Sequence, residues 1–209
     1  MENAGVKQLA FYFDSGSCSG CKACQAACKD RNDLPLNVLW RRVYEVAGGN
    51  WRNEGGIWVP GVFAYNMSLA CNHCEKPLCL NSCPTGAIAK RPDGIVVIDA
   101  ATCMGCRYCE WNCPYGSPQY DESLGIMTKC NFCFDLVEKG EPPACVSACP
   151  MRALDFGEFS ELKKKYEGTG RIFPLPETRV TEPSLIIKPH KDAGLAEPGT
   201  AEVENWEEI

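Results

Sequence analysis

Sixteen cysteines stand in four groups of four, and their spacing is where this sequence carries chemistry. The first group runs Cys18-x2-Cys21-x2-Cys24-x3-Cys28. The second is Cys71-x2-Cys74-x4-Cys79-x3-Cys83, followed by Pro84. The third is Cys103-x2-Cys106-x2-Cys109-x3-Cys113, followed by Pro114. The fourth is Cys130-x2-Cys133-x11-Cys145-x3-Cys149, followed by Pro150. No cysteine is left over, so the chain is an internal repeat of one thiol pattern.

Three chemistries use thiols in such numbers. A disulfide framework belongs to small secreted domains, and Met1-Glu2-Asn3-Ala4-Gly5 opens the chain without a signal-peptide pattern. Zinc sites pair two C-x2-C halves across a dozen or more residues and have no use for C-x2-C-x2-C-x3-C-P. That last run is the iron–sulfur spacing of bacterial ferredoxins, whose fourth cysteine ligates the other cluster. The spacing therefore favours iron and sulfide.

A C-x2-C-x2-C loop curls so that three thiolates reach three irons of one cubane, with main-chain N–H groups turned toward the sulfides. The cysteine three residues further on begins a helical turn and points away, toward a second cubane. A proline after it supplies no N–H and bends the chain out of the site. Sixteen thiolates at four per cubane give four 4Fe–4S clusters. Pairing the two middle runs assigns Cys71, Cys74, Cys79 and Cys113 to one cluster and Cys83, Cys103, Cys106 and Cys109 to another. The outer runs then pair, with Cys18, Cys21, Cys24 and Cys149 on a third cluster and Cys28, Cys130, Cys133 and Cys145 on the fourth. Pairing the first run with the second and the third with the fourth is the alternative.

The elements that must position these thiols are short. Leu9–Asp14 reads as a strand leading into the first run, and Gly94–Asp99 as one before the third, after a Pro92-Asp93-Gly94 turn. Thr85–Ile88 and Met151–Leu154 read as turns ending in strands. The expected fold class is α+β, two ferredoxin-like two-cluster modules related by a pseudo-twofold. Residues 1–33 and 125–170 form the outer module and 71–124 the inner one. Between them, 34–70 is a β-rich insertion, with strands over Val38–Val46 and Ile57–Met67. Its Trp40, Trp51 and Trp58 suit either a docking surface or, more often in strands, packing. Ser160–Tyr166 is a short helix with Ser160 as its N-cap. Residues 171–209 form an extended Pro-rich arm, a solvated tail or a strap over a partner, its first half ordered by Leu185-Ile186-Ile187.

The rest of the sequence narrows the function by exclusion. A formal charge of −6 argues against nucleic acid as the main partner. Two histidines, His73 and His190, are too few for His-rich metal catalysis. No apolar run approaches the ~20 residues that span a bilayer. There is no phosphate loop, nucleotide fingerprint or paired catalytic carboxylates, and no thiol is free to act as a nucleophile. The expected function is outer-sphere electron transfer without catalysis. Loaded clusters shift the charge to roughly −14, since sixteen thiolates outweigh four cores of about +2. Lys22, Lys29, Arg107, Lys129 and Arg152 lie next to ligands and either offset this charge or are ordinary solvated cations. His73 is expected to donate a hydrogen bond or fill its loop.

Several motifs are more specific still: Phe13-Asp14, Ala27-Cys28-Lys29-Asp30, Cys71-Asn72-His73-Cys74, Gly105-Cys106-Arg107-Tyr108-Cys109, Cys113-Pro114-Tyr115-Gly116, Pro118-Gln119-Tyr120, Met127-Thr128-Lys129-Cys130 and Arg152–Gly157. With them, residues from about 7 to 190 resemble the iron–sulfur subunit of the dimethyl sulfoxide reductase family. That resemblance implies the same ligand pattern and a relay between two partners. One is a molybdopterin (molybdenum or tungsten) catalytic subunit, the other an integral membrane quinol-oxidising anchor. Cys106 stands where nitrate-reductase-like relatives carry Trp and a 3Fe–4S cluster, which favours a fourth cubane here. The implied location is the outer face of the cytoplasmic membrane, reached through partners, with the cytoplasmic face as the alternative. A freestanding polyferredoxin and a metal-stabilised non-redox adaptor are the competing functional readings.

Overall fold

The computed structural model describes residues 7–209. The export-signal reading of Met1–Gly5 lies outside the described residues. Strand β1 (Leu9–Asp14) is buried along its whole length. It enters the first cysteine run, whose last cysteine sits on helix α1 (Ala23–Arg31). The insertion follows as β2 (Arg42–Gly48), β3 (Trp51–Glu54), β4 (Ile57–Pro60) and β5 (Phe63–Leu69). The stretch from Ile57 is thus two strands, interrupted at Gly61 and Val62 without reversing, because β3–β4 and β2–β5 pair along one continuous hairpin whose turn is Gly55–Gly56. A one-turn helix α2 (Leu78–Asn81), β6 (Ile88–Lys90), β7 (Val96–Ile98) and α3 (Tyr108–Trp111) span the second and third cysteine runs. Then come β8 (Gln119–Asp121), β9 (Ile126–Thr128), α4 (Phe134–Val137), α5 (Ala144–Ser147), β10 (Leu154–Glu158) and α6 (Phe159–Lys165). The C-terminal segment supplies β11 (Leu185–Lys188) and β12 (Ala201–Val203). The fold class is α+β.

Small sheets hold these pieces. β1 pairs antiparallel with β10 and parallel with β11, so the chain returns at residue 154 to complete the sheet begun at residue 9. β2 lies between β5 and β12, with Val43, Tyr44 and Val46 buried. β6 pairs with β7 and β8 with β9, as two separate hairpins. The Pro-rich arm is therefore tied to the protein's own sheets through β11 and β12, and Asn205 fastens it by donating to Val43 O at 2.9 Å. Helix α6 differs from expectation at its start. Glu158 is the N-cap and Ser160 lies inside, its Oγ donating to Glu158 Oε1 at 2.7 Å.

The insertion's aromatics divide. Trp40 is half-buried, packs on the core, and donates from Nε1 to Thr128 Oγ1 at 3.1 Å. Trp51 and Trp58 stand on the β3–β4 hairpin at 58% and 64% exposure, so packing accounts for only the first of the three.

Candidate iron–sulfur centres

The two C-x2-C-x2-C loops share one backbone. Gly20 (φ 70°) and Lys22 (φ 59°) in the first run match Gly105 (φ 71°) and Arg107 (φ 64°) in the third. Left-handed residues alternating with ordinary ones turn successive N–H groups inward, a concavity suited to anionic sulfur. Gly105 is required for a second reason: a Cβ there would lie 2.3 Å from Gly125 O. The second and fourth runs share another turn, left-handed at His73 (φ 42°) and Phe132 (φ 65°). Three residues beyond Cys83, Cys113 and Cys149, the backbone is again left-handed, at Gly86, Gly116 and Arg152. First matches third and second matches fourth, so the local geometry repeats once per module.

These turns gather the sixteen free thiols into sets. Cys18, Cys21, Cys24 and Cys149 line one small pocket with Phe13, Ser68 and Leu154. Cys71, Cys74, Cys79 and Cys113 line another with Tyr115, Lys129 and Thr181. Cys83, Cys103, Cys106 and Cys109 line a third with Ile88, Ile98 and Met127. Cys28, Cys130, Cys133 and Cys145 form the remaining group, each close enough to bear on another's charge. Three of the expected quartets thus each line one pocket, and the thiols of the other lie near enough to act on one another's charge. Helices α1 and α5 pack on each other and carry Cys24, Cys28, Cys145 and, just beyond α5, Cys149. Helices α2 and α3 pack likewise beside Cys79, Cys83, Cys109 and Cys113. Each helix therefore sends one thiol to one set and the next thiol, one turn on, to its neighbour.

The donor set fits a cubane. Main-chain N–H groups donate to sulfur from Ala153 to Cys149 (3.3 Å), Phe132 to Cys130 (3.4 Å), Met127 to Cys103 (3.4 Å) and Ser117 to Cys113 (3.5 Å). Such bonds stabilise charge on sulfur and are one lever on cluster potential. Among the described residues, no three Cys, His, Asp or Glu side chains gather as a single ion would require. The thiols surround voids instead, the arrangement a polynuclear cluster needs and a tetrahedral zinc ion does not. Burial pushes the thiols up: Cys28, Cys74 and Cys79 to about 12, Cys18 and Cys109 to about 11. Thiols held protonated are poor nucleophiles and become thiolates only on binding a metal. Cys83 shifts the other way, since hydrogen bonds from Thr85, Ala87 and Ile88 outweigh its burial and lower it.

The sets form a row. Cys24 of the first quartet lies close enough to Cys145 of the next for their charges to interact, as does Cys130 of that one to Cys71 of the third. Six of the eight thiols in the middle of the row are buried, Cys28, Cys71, Cys79, Cys130, Cys133 and Cys145, while Cys74 and Cys113 are partly buried. Its ends approach the surface, at exposed Cys21 on one side and partly exposed Cys83, Cys103 and Cys106 on the other. Around the latter end, Met104, Tyr108, Trp111 and Leu124 are exposed.

Of the five cations flagged beside ligands, only Lys129 is buried, its Nζ donating to Cys130 O at 2.9 Å. Lys22 pairs with Glu45 (3.2 Å) and Glu208, Arg107 with Glu110 (2.7 Å), and Arg152 is exposed. Lys29 donates to the carbonyls of Pro35 (2.5 Å) and Val38 (3.3 Å). His73 accepts rather than donates: its Nδ1 takes the Val96 N–H at 3.0 Å, and burial together with Lys129 holds it neutral. A second buried cation, Arg41, was not legible, because it lies far in sequence from every cysteine it neighbours.

Comparison with known proteins agrees with this geometry. Residues 62–159, which hold the second, third and fourth runs, match the family model described as a 4Fe-4S dicluster domain. Over 202 residues the sequence is 48% identical to the B subunit of the anaerobic dimethyl sulfoxide reductase of Escherichia coli (strain K12), covering 97% of this protein and 98% of that one. This protein belongs to the dimethyl sulfoxide reductase iron–sulfur subunit family. Within that family it is 50% identical over 192 residues to the corresponding B subunit of Haemophilus influenzae, covering 91% of this protein and 94% of the relative. It is also 36% identical over 194 residues to the B subunit of the polysulfide reductase of Wolinella succinogenes, covering 91% and 98% respectively. Dimethyl sulfoxide reductase iron–sulfur subunits transfer electrons, and this protein is such an electron-transfer subunit.

Proposed function

We propose that the protein holds four 4Fe–4S clusters on the four quartets and passes single electrons along the row between two partner subunits, itself catalysing no reaction. Cys18, Cys21, Cys24 and Cys149 hold the cluster at one end. The next is held by Cys28, Cys130, Cys133 and Cys145, and the third by Cys71, Cys74, Cys79 and Cys113. Cys83, Cys103, Cys106 and Cys109 hold the cluster at the other end. When bound, each cluster gains and loses one electron without exchanging a ligand. The protein's part is to fix the spacing with packed helix pairs, keep water from the two inner sets, and supply N–H donors to sulfur. The observation that carries this reading is the row itself, buried in the middle and close to the surface at both ends. A conductor between two partners needs that form, and a non-redox adaptor does not.

One partner is a molybdopterin subunit bearing molybdenum or tungsten, and the other a membrane anchor that oxidises quinol. No helix among the described residues is long and apolar enough to cross a membrane. Membrane association therefore runs through the anchor, on the outer face of the cytoplasmic membrane. The test uses the intact complex. Adding quinol should reduce this subunit's clusters, and adding the catalytic subunit's acceptor should reoxidise them. Turnover with the clusters fixed in one oxidation state would overturn the relay.

A further inference from the structure

Arg41 is one of the largest fully buried side chains, with 2% of its surface exposed. Its Nη1 donates to Ser68 Oγ at 3.1 Å, and that hydroxyl lies 3.3 Å from Cys24 Sγ. Its guanidinium carbon sits 4.7 Å from the centre of the Phe11 ring. Nε and Nη2 are buried and have no hydrogen-bond partner among the described residues. No carboxylate pairs with it there either. The charges that act on it most are thiols: Cys145, then Cys24, Cys130 and Cys28. Cys24 belongs to the end quartet, and the other three to the quartet beside it.

A buried guanidinium without a counter-charge costs several kcal/mol, and folds do not keep one idly. Four thiolates on a core of about +2 give each loaded cluster a charge near −2. Arg41 stands between two such sets, with the N–H bonds of Nε and Nη2 still unassigned. We propose that Arg41 is the fixed positive charge shared by the first two clusters of the row, and that it raises the potentials of both. Reduction adds one negative charge to a cluster, and a cation held in a medium of low dielectric favours the reduced form. The inference rests on the four-cluster reading and goes beyond it, since it assigns two potentials to one residue that ligates nothing.

The test is a redox titration of the intact complex, followed by electron paramagnetic resonance, for wild type, Arg41→Gln and Arg41→Lys. In Arg41→Gln, two of the four potentials should fall. At a fixed potential, the reduced-to-oxidised ratio of those two should drop about tenfold, or about 59 mV for one electron. The other two should hold. Arg41→Lys keeps the charge and should restore both. If Arg41→Gln fails to assemble, assembly of Arg41→Lys with wild-type potentials still supports the proposal. Four unshifted potentials in Arg41→Gln would overturn it. So would a Lys variant that falls as far as Gln or also fails to assemble, because shape rather than charge would then matter. Fewer than four clusters in wild type would instead sink the four-cluster reading.

Discussion

Phe132 stacks on Phe11 with ring centres 4.2 Å apart, and the His73 ring meets its edge at 5.3 Å. Phe11 comes from β1, Phe132 from the fourth cysteine run and His73 from the second. One side chain thus ties the β1 sheet to the loop of the second cysteine run, near where Cys130 and Cys71 are close enough to act on each other's charge.

Phe132→Ala should therefore disturb both the β1 sheet and the second cysteine run. Phe132 has no exposed surface, and truncating a buried Phe costs about 3–5 kcal/mol. Denaturant unfolding of the loaded protein should show that loss, with Phe132→Leu recovering part of it. A loss below about 0.5 kcal/mol would place the ring outside the working core.

The insertion's tryptophans should separate in the same assay. Trp40→Ala removes packing and the bond to Thr128 and should destabilise by about 3 kcal/mol. Trp51→Ala and Trp58→Ala should each stay within about 0.5 kcal/mol, since both rings are exposed. Equal losses at all three positions would contradict the hairpin as described.

Cys106→Ser should affect one cluster only. Cys106 lines the void shared with Cys83, Cys103 and Cys109, and no other quartet. Electron paramagnetic resonance of the reduced complex should show one signal lost or converted and three retained. Four unchanged signals would show that Cys106 is not a ligand.

Asp14 gives a pH dependence. Burial alone would raise its carboxyl, but hydrogen bonds from Lys188 (3.0 Å) and Ser17 (3.1 Å) outweigh it and hold the group below the ordinary carboxylate value. A carboxyl lowered on folding adds stability in full above its unfolded value and loses it as pH falls through the folded one. The stability difference between wild type and Asp14→Asn should therefore be largest near neutrality. It should shrink as pH drops below about 4. A difference independent of pH would show that the Asp14 charge contributes nothing.

Much of this was legible because cysteine spacing is a local signal with a narrow geometric meaning. The quartets that the structure gathers follow from where each run must point its fourth thiol, and β1 is readable from six consecutive residues. What escaped was set by contacts distant in sequence. Arg41 meets Cys130 and Cys145 only once the polypeptide has folded back, so nothing near Trp40-Arg41-Arg42 marks it as central. His73 faces Val96 across the inner module, which makes it an acceptor where its place between two cysteines suggested a donor. The arm's fate was equally non-local, since Leu185–Lys188 finds β1 at the other end of the sequence.

The central claim is that every cysteine holds iron in one of four cubanes. Iron and acid-labile sulfide should be measured per copy of this subunit in the purified complex, after subtracting what the partner subunits hold. About sixteen of each is the predicted result. Zinc in place of iron, or about eight of each, would contradict the account.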